Sequence, residues 1–225
     1  MFRAWFHNVK SARISDQQEI MRIRLIAFDC DGVMFDTEAA NKLYYNQVLH
    51  YMHKPDLTES QFAYVYMHTA DEAIDHLFPD KDEAVKANEY RQSMPYLPFL
   101  QKMEIEPYLK PLIDRLRPEY HTAIATNRTN TIHPVLKAHH LEGYFDLVVS
   151  ALDVPRPKPY PDPLIKILTH FQIEPEQMLY IGDSKLDQIA SEAAGVILAA
   201  YKNPALDARF HITSLREIEP ILTAS

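Results

Sequence analysis

The sequence has a single cysteine, Cys30, among its 225 residues. An internal disulfide framework is therefore excluded, and such sparing use of cysteine is typical of cytoplasmic proteins. No apolar run approaches the roughly 20 residues that a membrane-spanning helix needs. The formal net charge of −8 argues against a general nucleic-acid binder, since such proteins present basic surfaces to phosphates. We therefore expect a cytoplasmic protein that binds neither nucleic acid nor membranes.

Glycine is also scarce, with four residues where average usage of about 7% would give about sixteen. Glycine is favoured where φ is positive or where the backbone approaches another group closely, so each position is informative. Gly32 and Gly182 adjoin aspartates at the ends of apolar runs. Gly143 and Gly195 are expected to close the helices that precede them.

Short apolar runs alternate with segments of helical periodicity over most of the chain. This alternation predicts an α/β fold with a Rossmann-like parallel sheet and right-handed crossovers. The runs are short and continuously apolar, which is typical of strands buried on both faces. The predicted strands are residues 23–28, 121–125, 147–150, 178–181 and 196–200.

A block of helical segments, residues 38–103, interrupts this alternation directly after the first strand. Proline and acidic breaks separate its segments, and no strand is predicted within it. The block therefore predicts an all-helical cap domain, inserted into an α/β core domain made of residues 21–37 and 104–225. The hinges between the two would be residues 35–37 and 104–107.

The first twenty residues differ from the rest and form an N-terminal extension. Apolar residues at helical spacing alternate there with basic ones, and no acid precedes Asp16. Three interpretations stay open for residues 1–20: a short helix docked on the domain, a disordered upstream extension with Met21 as the natural start, or a targeting peptide.

Polar side chains follow four of the predicted strands. Because the carboxyl ends of parallel strands meet at one edge of the sheet, these side chains are expected to converge. Four carboxylates at one edge repel one another unless cations compensate, and hard divalent cations prefer such oxygen ligands. Any one aspartate could merely cap a helix, but their succession at strand ends indicates a site. The side chains are Asp29, Asp31, Thr126, Asn127, Lys158, Asp183 and Asp187.

In this order, these residues lie in segments that resemble the four motifs of the haloacid dehalogenase superfamily. The helical block after the first motif is similar to the cap of the phosphoglycolate phosphatase and β-phosphoglucomutase branch, and residues 191–195 are similar to that branch too. The resemblance therefore implies the haloacid dehalogenase fold with an inserted helical cap. The four segments are residues 29–33, 126–127, 158–159 and 182–187.

The resemblance implies a role for each polar residue. Asp29 would be the nucleophile that forms an aspartyl-phosphate. Asp31 would protonate the leaving oxygen and then activate water for hydrolysis. Thr126 and Asn127 would bind the phosphoryl oxygens, and Lys158 would neutralise charge between the phosphate and the nucleophile.

The resemblance also implies Mg²⁺ as cofactor. Its ligands would be Asp29, the backbone carbonyl of Asp31, and Asp183, while Asp187 would bind through water or orient a ligand. A dianionic phosphate approaches a carboxylate nucleophile only if a metal and a lysine offset the repulsion, so the residue types suit the chemistry.

Asp31 also limits which reactions of the superfamily the resemblance implies. Dehalogenases and phosphonate-cleaving members of the superfamily lack an aspartate at the matching position, so its presence favours phosphoryl transfer from oxygen. We therefore expect a Mg²⁺-dependent phosphomonoesterase acting on a small soluble phosphate ester of the sugar-phosphate or phosphoglycolate type, as a monomer or homodimer. Two alternatives stay open: a β-phosphoglucomutase-like phosphomutase with the same first step, and a non-catalytic binding module with this fold.

The leaving group would have to be recognised by the cap. The turn at residues 67–70 joins two helical segments where related enzymes place their specificity loop. His68 and Thr69 in this turn offer hydrogen bonds that suit a polyol or a carboxylate, and the turn has no arginine or lysine. We therefore expect His68 to contact a small polar substrate rather than a nucleotide; the alternative is that His68 only caps the following helix.

Overall fold

The computed structural model of the protein describes residues 23–117 and 119–224. The extension predicted at residues 1–20 lies outside the described residues, and its three interpretations stay open. None of the helices in the described part is long and apolar enough to cross a bilayer.

In the described part of the chain, six parallel strands form the central sheet. From one edge to the other they are β5 (Leu147–Val149), β4 (His121–Ala125), β1 (Leu25–Phe28), β6 (Met178–Gly182), β7 (Ile197–Tyr201) and β8 (Phe210–Ile212). The chain builds outward from β1 to β4 and β5, and then returns to β6 on the other side of β1. Such a reversal of direction places a crevice at the carboxyl ends of the central strands. Two short strands, β2 (Phe35–Asp36) and β3 (Glu104–Ile105), form a separate two-stranded sheet.

Helices cover both faces of the sheet, as expected for a parallel sheet. In β1, Ile26 and Phe28 pack into the apolar cluster on one face, while Leu25 and Ala27 pack into the cluster on the other. All four side chains are fully buried, which explains the continuous apolar run in the sequence. The helices are α1 (Glu38–Tyr51), α2 (Glu59–Met67), α3 (Ala70–Leu77), α4 (Lys81–Ser93), α5 (Leu97–Leu100), α6 (Leu109–Leu116), α7 (Ile132–Ala138), α8 (Asp162–Phe171), α9 (Lys185–Ala194) and α10 (Ile218–Ala224).

Helices α1 to α5 lie between β2 and β3 and include an apolar cluster of their own. Val48 of α1, Ile74 of α3 and Ala87 of α4 are buried in this cluster. The two connections to the core run side by side, because β2 and β3 pair as an antiparallel ribbon with Phe35 opposite Ile105. The helical segment is thus joined to the core at one place, where the sequence predicts the hinges.

Of the two glycines expected to close helices, one lies at a helix end and the other does not. Gly195 follows α9 with a φ of 73°, as predicted for a C-cap. The prediction for Gly143 is wrong: α7 ends at Ala138, and the left-handed residue after it is His140, with a φ of 55°. Gly143 has a φ of 74° in a separate turn further on.

Candidate active site

The loop after β1 brings Asp29 to the centre of the sheet edge. The Asp29 N–H donates to the carbonyl of Ile181 on β6 (2.9 Å), and the N–H of Cys30 donates to Asp29 Oδ1 (2.7 Å). Gly32 follows with a φ of +77°, and an added Cβ there would lie 2.1 Å from Asp183 Oδ2. Only glycine therefore lets this loop pass the Asp183 carboxylate.

Asp187 is fixed at the start of α9 by reciprocal capping. The N–H and Oγ of Ser184 donate to Asp187 Oδ2 (3.0 and 2.5 Å), and the N–H of Asp187 donates to Ser184 Oγ (3.2 Å). The buried Tyr180 hydroxyl donates to Asp187 Oδ1 (2.7 Å). Gly182 makes room, since a Cβ there would lie 2.5 Å from Asp187 Cβ.

Lys158 points into this network, and its side chain is 2% exposed. Its Nζ lies 2.7 Å from Asp187 Oδ1, 2.8 Å from Asp29 Oδ1 and 3.0 Å from the Tyr180 hydroxyl. Asn127 holds the backbone of Lys158 from both sides, because its Oδ1 accepts from the Lys158 N–H and its Nδ2 donates to the Lys158 carbonyl (both 2.9 Å). The lysine is therefore fixed at its backbone and at its head.

Asn127 also contacts the helical segment. Its Nδ2 donates to the carbonyl of Met67 at the end of α2 (3.2 Å). Since Lys158 and Met67 together use its amide hydrogens, a phosphate contact from Asn127 needs one of these bonds to break. Thr126 is buried, and its Oγ1 accepts from the Arg128 N–H (3.1 Å), which leaves the hydroxyl proton free to donate.

The carboxylates of the site have unequal proton affinities. Burial raises the pKa of Asp29 from 3.8 to about 7, although the Lys158 ammonium opposes this shift. Burial, followed by the negative charges of Asp187 and Asp29, raises the pKa of Asp183 well above its usual range. Burial acts to raise the pKa of Asp187 too, but the Lys158 ammonium, together with hydrogen bonds from Ser184 and Tyr180, holds that pKa below the usual range. Lys158 thus offsets only part of the negative charge that the three carboxylates carry when all of them are ionised.

Three of these carboxylates fit a divalent cation. Asp29, Asp183 and Asp187 each offer an oxygen within 4.8 Å of the others. No hydrogen-bond donor in the described part of the chain bonds to the Asp183 carboxylate, whereas Asp187 already accepts from Lys158, Tyr180 and Ser184. The oxygen-only donor set and its uncompensated charge are those of a site for a hard cation.

Asp31 is paired with Arg128, which is not among the site residues predicted from the sequence. Arg128 Nε and Nη2 donate to the two oxygens of Asp31, at 2.7 and 2.5 Å. Both partners are largely buried, with side chains 7% and 16% exposed. Arg128 directly follows Thr126 and Asn127, so its place in the motif was the one available signal.

A cavity of about 160 Å³ separates these strand ends from the helical segment. His68 lines it, with Nδ1 2.8 Å from the Tyr64 carbonyl and its ring stacked on the Tyr64 ring at 3.8 Å. Thr69 is the N-cap of α3, since its hydroxyl accepts a hydrogen bond from the N–H of Glu72 (3.3 Å).

Arg91 in α4 also lines the cavity, and it too is not among the site residues predicted from the sequence. Its side chain is 9% exposed and donates to Asp71 (2.6 Å) and Asn88 (2.8 Å). Helix α4 is rich in charged residues, so its sequence gives no sign that one arginine turns inward.

Comparison with known proteins identifies the family to which this site belongs. The family model for haloacid dehalogenase-like hydrolases matches residues 26–201, which is well over half of the chain. The chain therefore belongs to this family of enzymes. The match confirms the family resemblance read from the motifs.

Individual relatives refine the comparison. A phosphoglycolate phosphatase of Nitrosospira multiformis is 29% identical over 182 residues, which are 77% of this chain and 80% of the relative. A crystal structure of a haloacid dehalogenase superfamily hydrolase of subfamily IA, from Geobacter sulfurreducens, is 34% identical, has a TM-score of 0.73, and covers 89% of this chain and 96% of its own. A β-phosphoglucomutase from Clostridium difficile has a TM-score of 0.78 over 90% and 98% of the two chains at 16% identity, so it shares the fold. The predicted α/β core with an inserted helical segment is confirmed.

Proposed function

We propose that the chain is a cytoplasmic, Mg²⁺-dependent phosphomonoesterase that hydrolyses a small phosphate ester, of the sugar-phosphate or phosphoglycolate type, through an aspartyl-phosphate. The observation that carries the proposal is the contact of 2.8 Å between Lys158 Nζ and Asp29 Oδ1, beside an Asp183 carboxylate that accepts no hydrogen bond from the described residues. The phosphoglycolate phosphatase name of the Nitrosospira relative supports the substrate class.

Asp29 is the nucleophile in this proposal. Its Oδ1 is taken by Lys158 and by the N–H of Cys30, so Oδ2 is the oxygen without a donor among the described residues. Attack by Oδ2 on phosphorus would displace the alcohol and leave an acyl phosphate on Asp29. The Lys158 ammonium offsets the charge between nucleophile and phosphate, and the Thr126 hydroxyl donates to a phosphoryl oxygen.

Mg²⁺ would be held by the side chains of Asp29 and Asp183 and by the backbone carbonyl of Asp31. When bound, it supplies positive charge to the phosphoryl oxygens and to the ionised carboxylates. Both oxygens of Asp187 already accept hydrogen bonds, from Lys158 and Tyr180 on Oδ1 and from Ser184 on Oδ2. Asp187 therefore contributes mainly by fixing Lys158, and any link from Asp187 to the metal would pass through water.

Asp31 supplies the proton of the leaving alcohol and then takes one from the attacking water. Its carboxylate lies on the wall of the same cavity as Asp29 and Thr126. General acid–base help of this kind contributes typically about 10² to 10⁴ in rate. An alcohol needs a proton in order to leave, whereas an activated phenolate leaves readily without one. Hydrolysis of alcohol esters therefore depends on this step far more than hydrolysis of activated aryl esters does.

Residues 38–103 act as the cap and select the substrate. The cavity of about 160 Å³ is small beside the roughly 300 to 1,000 Å³ of drug-sized ligand pockets, which favours a small ester over a nucleotide. His68 and Arg91 face this cavity from the cap side and offer polar contacts to the leaving group.

The test is phosphate release from a panel of sugar phosphates, phosphoglycolate and nucleotides, with Mg²⁺ and with chelator. We expect release from small esters in Mg²⁺ and none in chelator. Asp29→Asn should abolish release, because an amide is a poor nucleophile and a poorer metal ligand. Asp114→Asn, a change of the same kind on the exposed side of α6, should keep wild-type rates.

Two results would contradict the proposal. Full activity in excess chelator would exclude a metal from the reaction, and wild-type turnover by Asp29→Asn would exclude Asp29 as the nucleophile. Conversion of β-glucose 1-phosphate to the 6-phosphate with a bisphosphate primer, in place of phosphate release, would favour a phosphomutase. No turnover of any panel member would favour a non-catalytic module.

A further inference from the structure

The pairing of Arg128 with Asp31 constrains the acid–base carboxylate. Two parallel N–H bonds from one planar guanidinium reach both carboxylate oxygens, so the plane of the Asp31 carboxylate is fixed as well as its position. A lysine at this position would supply charge without this planar fork. The site therefore holds Asp31 in a single orientation.

The third nitrogen of the same guanidinium, Nη1, contacts the last part of the helical segment, just before the chain re-enters the core. Arg128 Nη1 donates to the Tyr96 hydroxyl (2.6 Å) and, more weakly, to Thr131 Oγ1 (3.3 Å). Tyr96 immediately precedes α5, and β3 follows α5 into the core. One side chain thus joins the loop after β1, the loop after β4 and the return from the helical segment.

We propose that Arg128 is a positioning residue, which orients the Asp31 carboxylate for proton transfer and, through Tyr96, ties that orientation to the placement of the helical segment. This inference rests on the proposed function, since it concerns the proton-transfer step of that reaction. Arg128 acts through Asp31 and forms no bond to the reacting atoms.

The dependence of rate on leaving group tests this role. Phenyl phosphate needs a proton on its departing oxygen far more than 4-nitrophenyl phosphate, whose phenolate leaves readily, while the two esters are otherwise alike. We expect Arg128→Gln to lower kcat for phenyl phosphate at least tenfold more than for 4-nitrophenyl phosphate. Asp31→Asn should show the same selectivity, and Arg128→Gln added to Asp31→Asn should give no further selective loss.

Conservative variants distinguish the effect of the two parallel hydrogen bonds of Arg128 from the effect of its positive charge. Arg128→Lys keeps the charge and loses the second bond, so it should recover part of the phenyl phosphate rate. Tyr96→Phe should produce a smaller loss of the same selectivity. Arg115→Gln is the matched control: Arg115 also binds a carboxylate, Glu219, and a tyrosine hydroxyl, but on the exposed surface of α6, so both esters should be unaffected.

Equal losses on both esters by folded Arg128→Gln and Arg128→Lys would overturn the inference and make Arg128 structural. Full additivity of Arg128→Gln with Asp31→Asn would also overturn it, because the arginine would then act independently of Asp31. Circular dichroism and gel filtration establish that the variants are folded. A wild-type chain that releases phosphate neither from these two esters nor from any member of the substrate panel would overturn the proposed function and this inference together, whereas normal wild-type turnover with uniform losses would overturn the inference alone.

Discussion

Lys158 and Asp187 form a buried ion pair, with Nζ 2.7 Å from Oδ1 and side chains 2% and 0% exposed. Asp187 is itself held by Ser184 and Tyr180, so the pair transmits the position of α9 to the lysine. The same Nζ then reaches Asp29. The helix N-terminus thereby places a positive charge against the proposed nucleophile.

Asp187→Asn tests this placement. The change leaves a buried ammonium facing a neutral amide, and breaking a buried pair costs about 3 to 5 kcal/mol. We expect the free energy of unfolding, measured with urea, to fall by about 3 kcal/mol, and kcat to fall more than tenfold. Tyr180→Phe, which removes one neutral partner of the same carboxylate, should cost only about 1 kcal/mol. Equal stability of the Asp187→Asn and wild-type proteins would contradict a stabilising pair.

The pH dependence of the metal-free protein should have an unusual sign. The pKa of Asp29 is about 7 in the folded chain against 3.8 when exposed, and that of Asp183 is also raised, so between these values the folded state binds more protons than the unfolded state. Stability is therefore present at low pH and is lost as pH rises from about 4 through 7. We expect the Tm in chelator to fall between pH 5 and pH 8, and Mg²⁺ to restore it at pH 8.

Asp183→Asn separates this effect from general alkaline instability. An amide cannot ionise, so the variant should have a flatter Tm profile and a Tm about 3 to 8 °C above wild type at pH 8 in chelator, where about 1 kcal/mol corresponds to 2 to 4 °C. It should also lose the stabilisation by Mg²⁺. A Tm profile identical to that of wild type would contradict the assignment of excess charge to Asp183.

Glycine substitutions test the close approaches. In Gly182→Ala the new Cβ lies 2.5 Å from Asp187 Cβ, so α9 must shift, and we expect a loss of about 2 to 3 kcal/mol together with most of the activity. Gly143→Ala is the control, since no atom of the residues that the structure describes lies within 4 Å of the added Cβ and only the φ of 74° is strained. It should cost about 1 kcal/mol and leave kcat unchanged. Urea unfolding and phosphate release measure both.

Local patterns in the sequence predict much of the fold. Strand β4 has its predicted bounds, and the block predicted to be helical contains α1 to α5, because the apolar spacing that marks a strand or a helix acts within a few residues. β8 and α5 were not predicted, since three or four residues carry too short a pattern and depend on packing against the rest of the core.

The strand-end residues of the site could also be predicted, because the topology of a parallel sheet brings them to one edge. Their partners could not. Arg128 is 97 residues from Asp31 along the chain, and Tyr180 sits in an apolar strand where a buried tyrosine is ordinary. Such contacts arise only once distant elements pack, and no local pattern encodes them.

His68 provides the test of substrate recognition by the cap. Its Nδ1 lies 2.8 Å from the Tyr64 carbonyl and its ring stacks on Tyr64, so Nε2 is the nitrogen left to meet a leaving group in the cavity. His68→Ala should raise KM for the best substrate more than tenfold, and should leave hydrolysis of 4-nitrophenyl phosphate nearly unchanged, since that ester makes few cap contacts.

His76→Ala is the matched control for this variant. The His76 ring also stacks on Tyr64, at 3.9 Å, but His76 is exposed on α3 and does not line the cavity. It removes the same kind of ring contact, so it should change neither KM nor kcat on either ester. Equal losses by His68→Ala on both esters would make His68 structural, since a contact with the leaving group must depend on which leaving group is present.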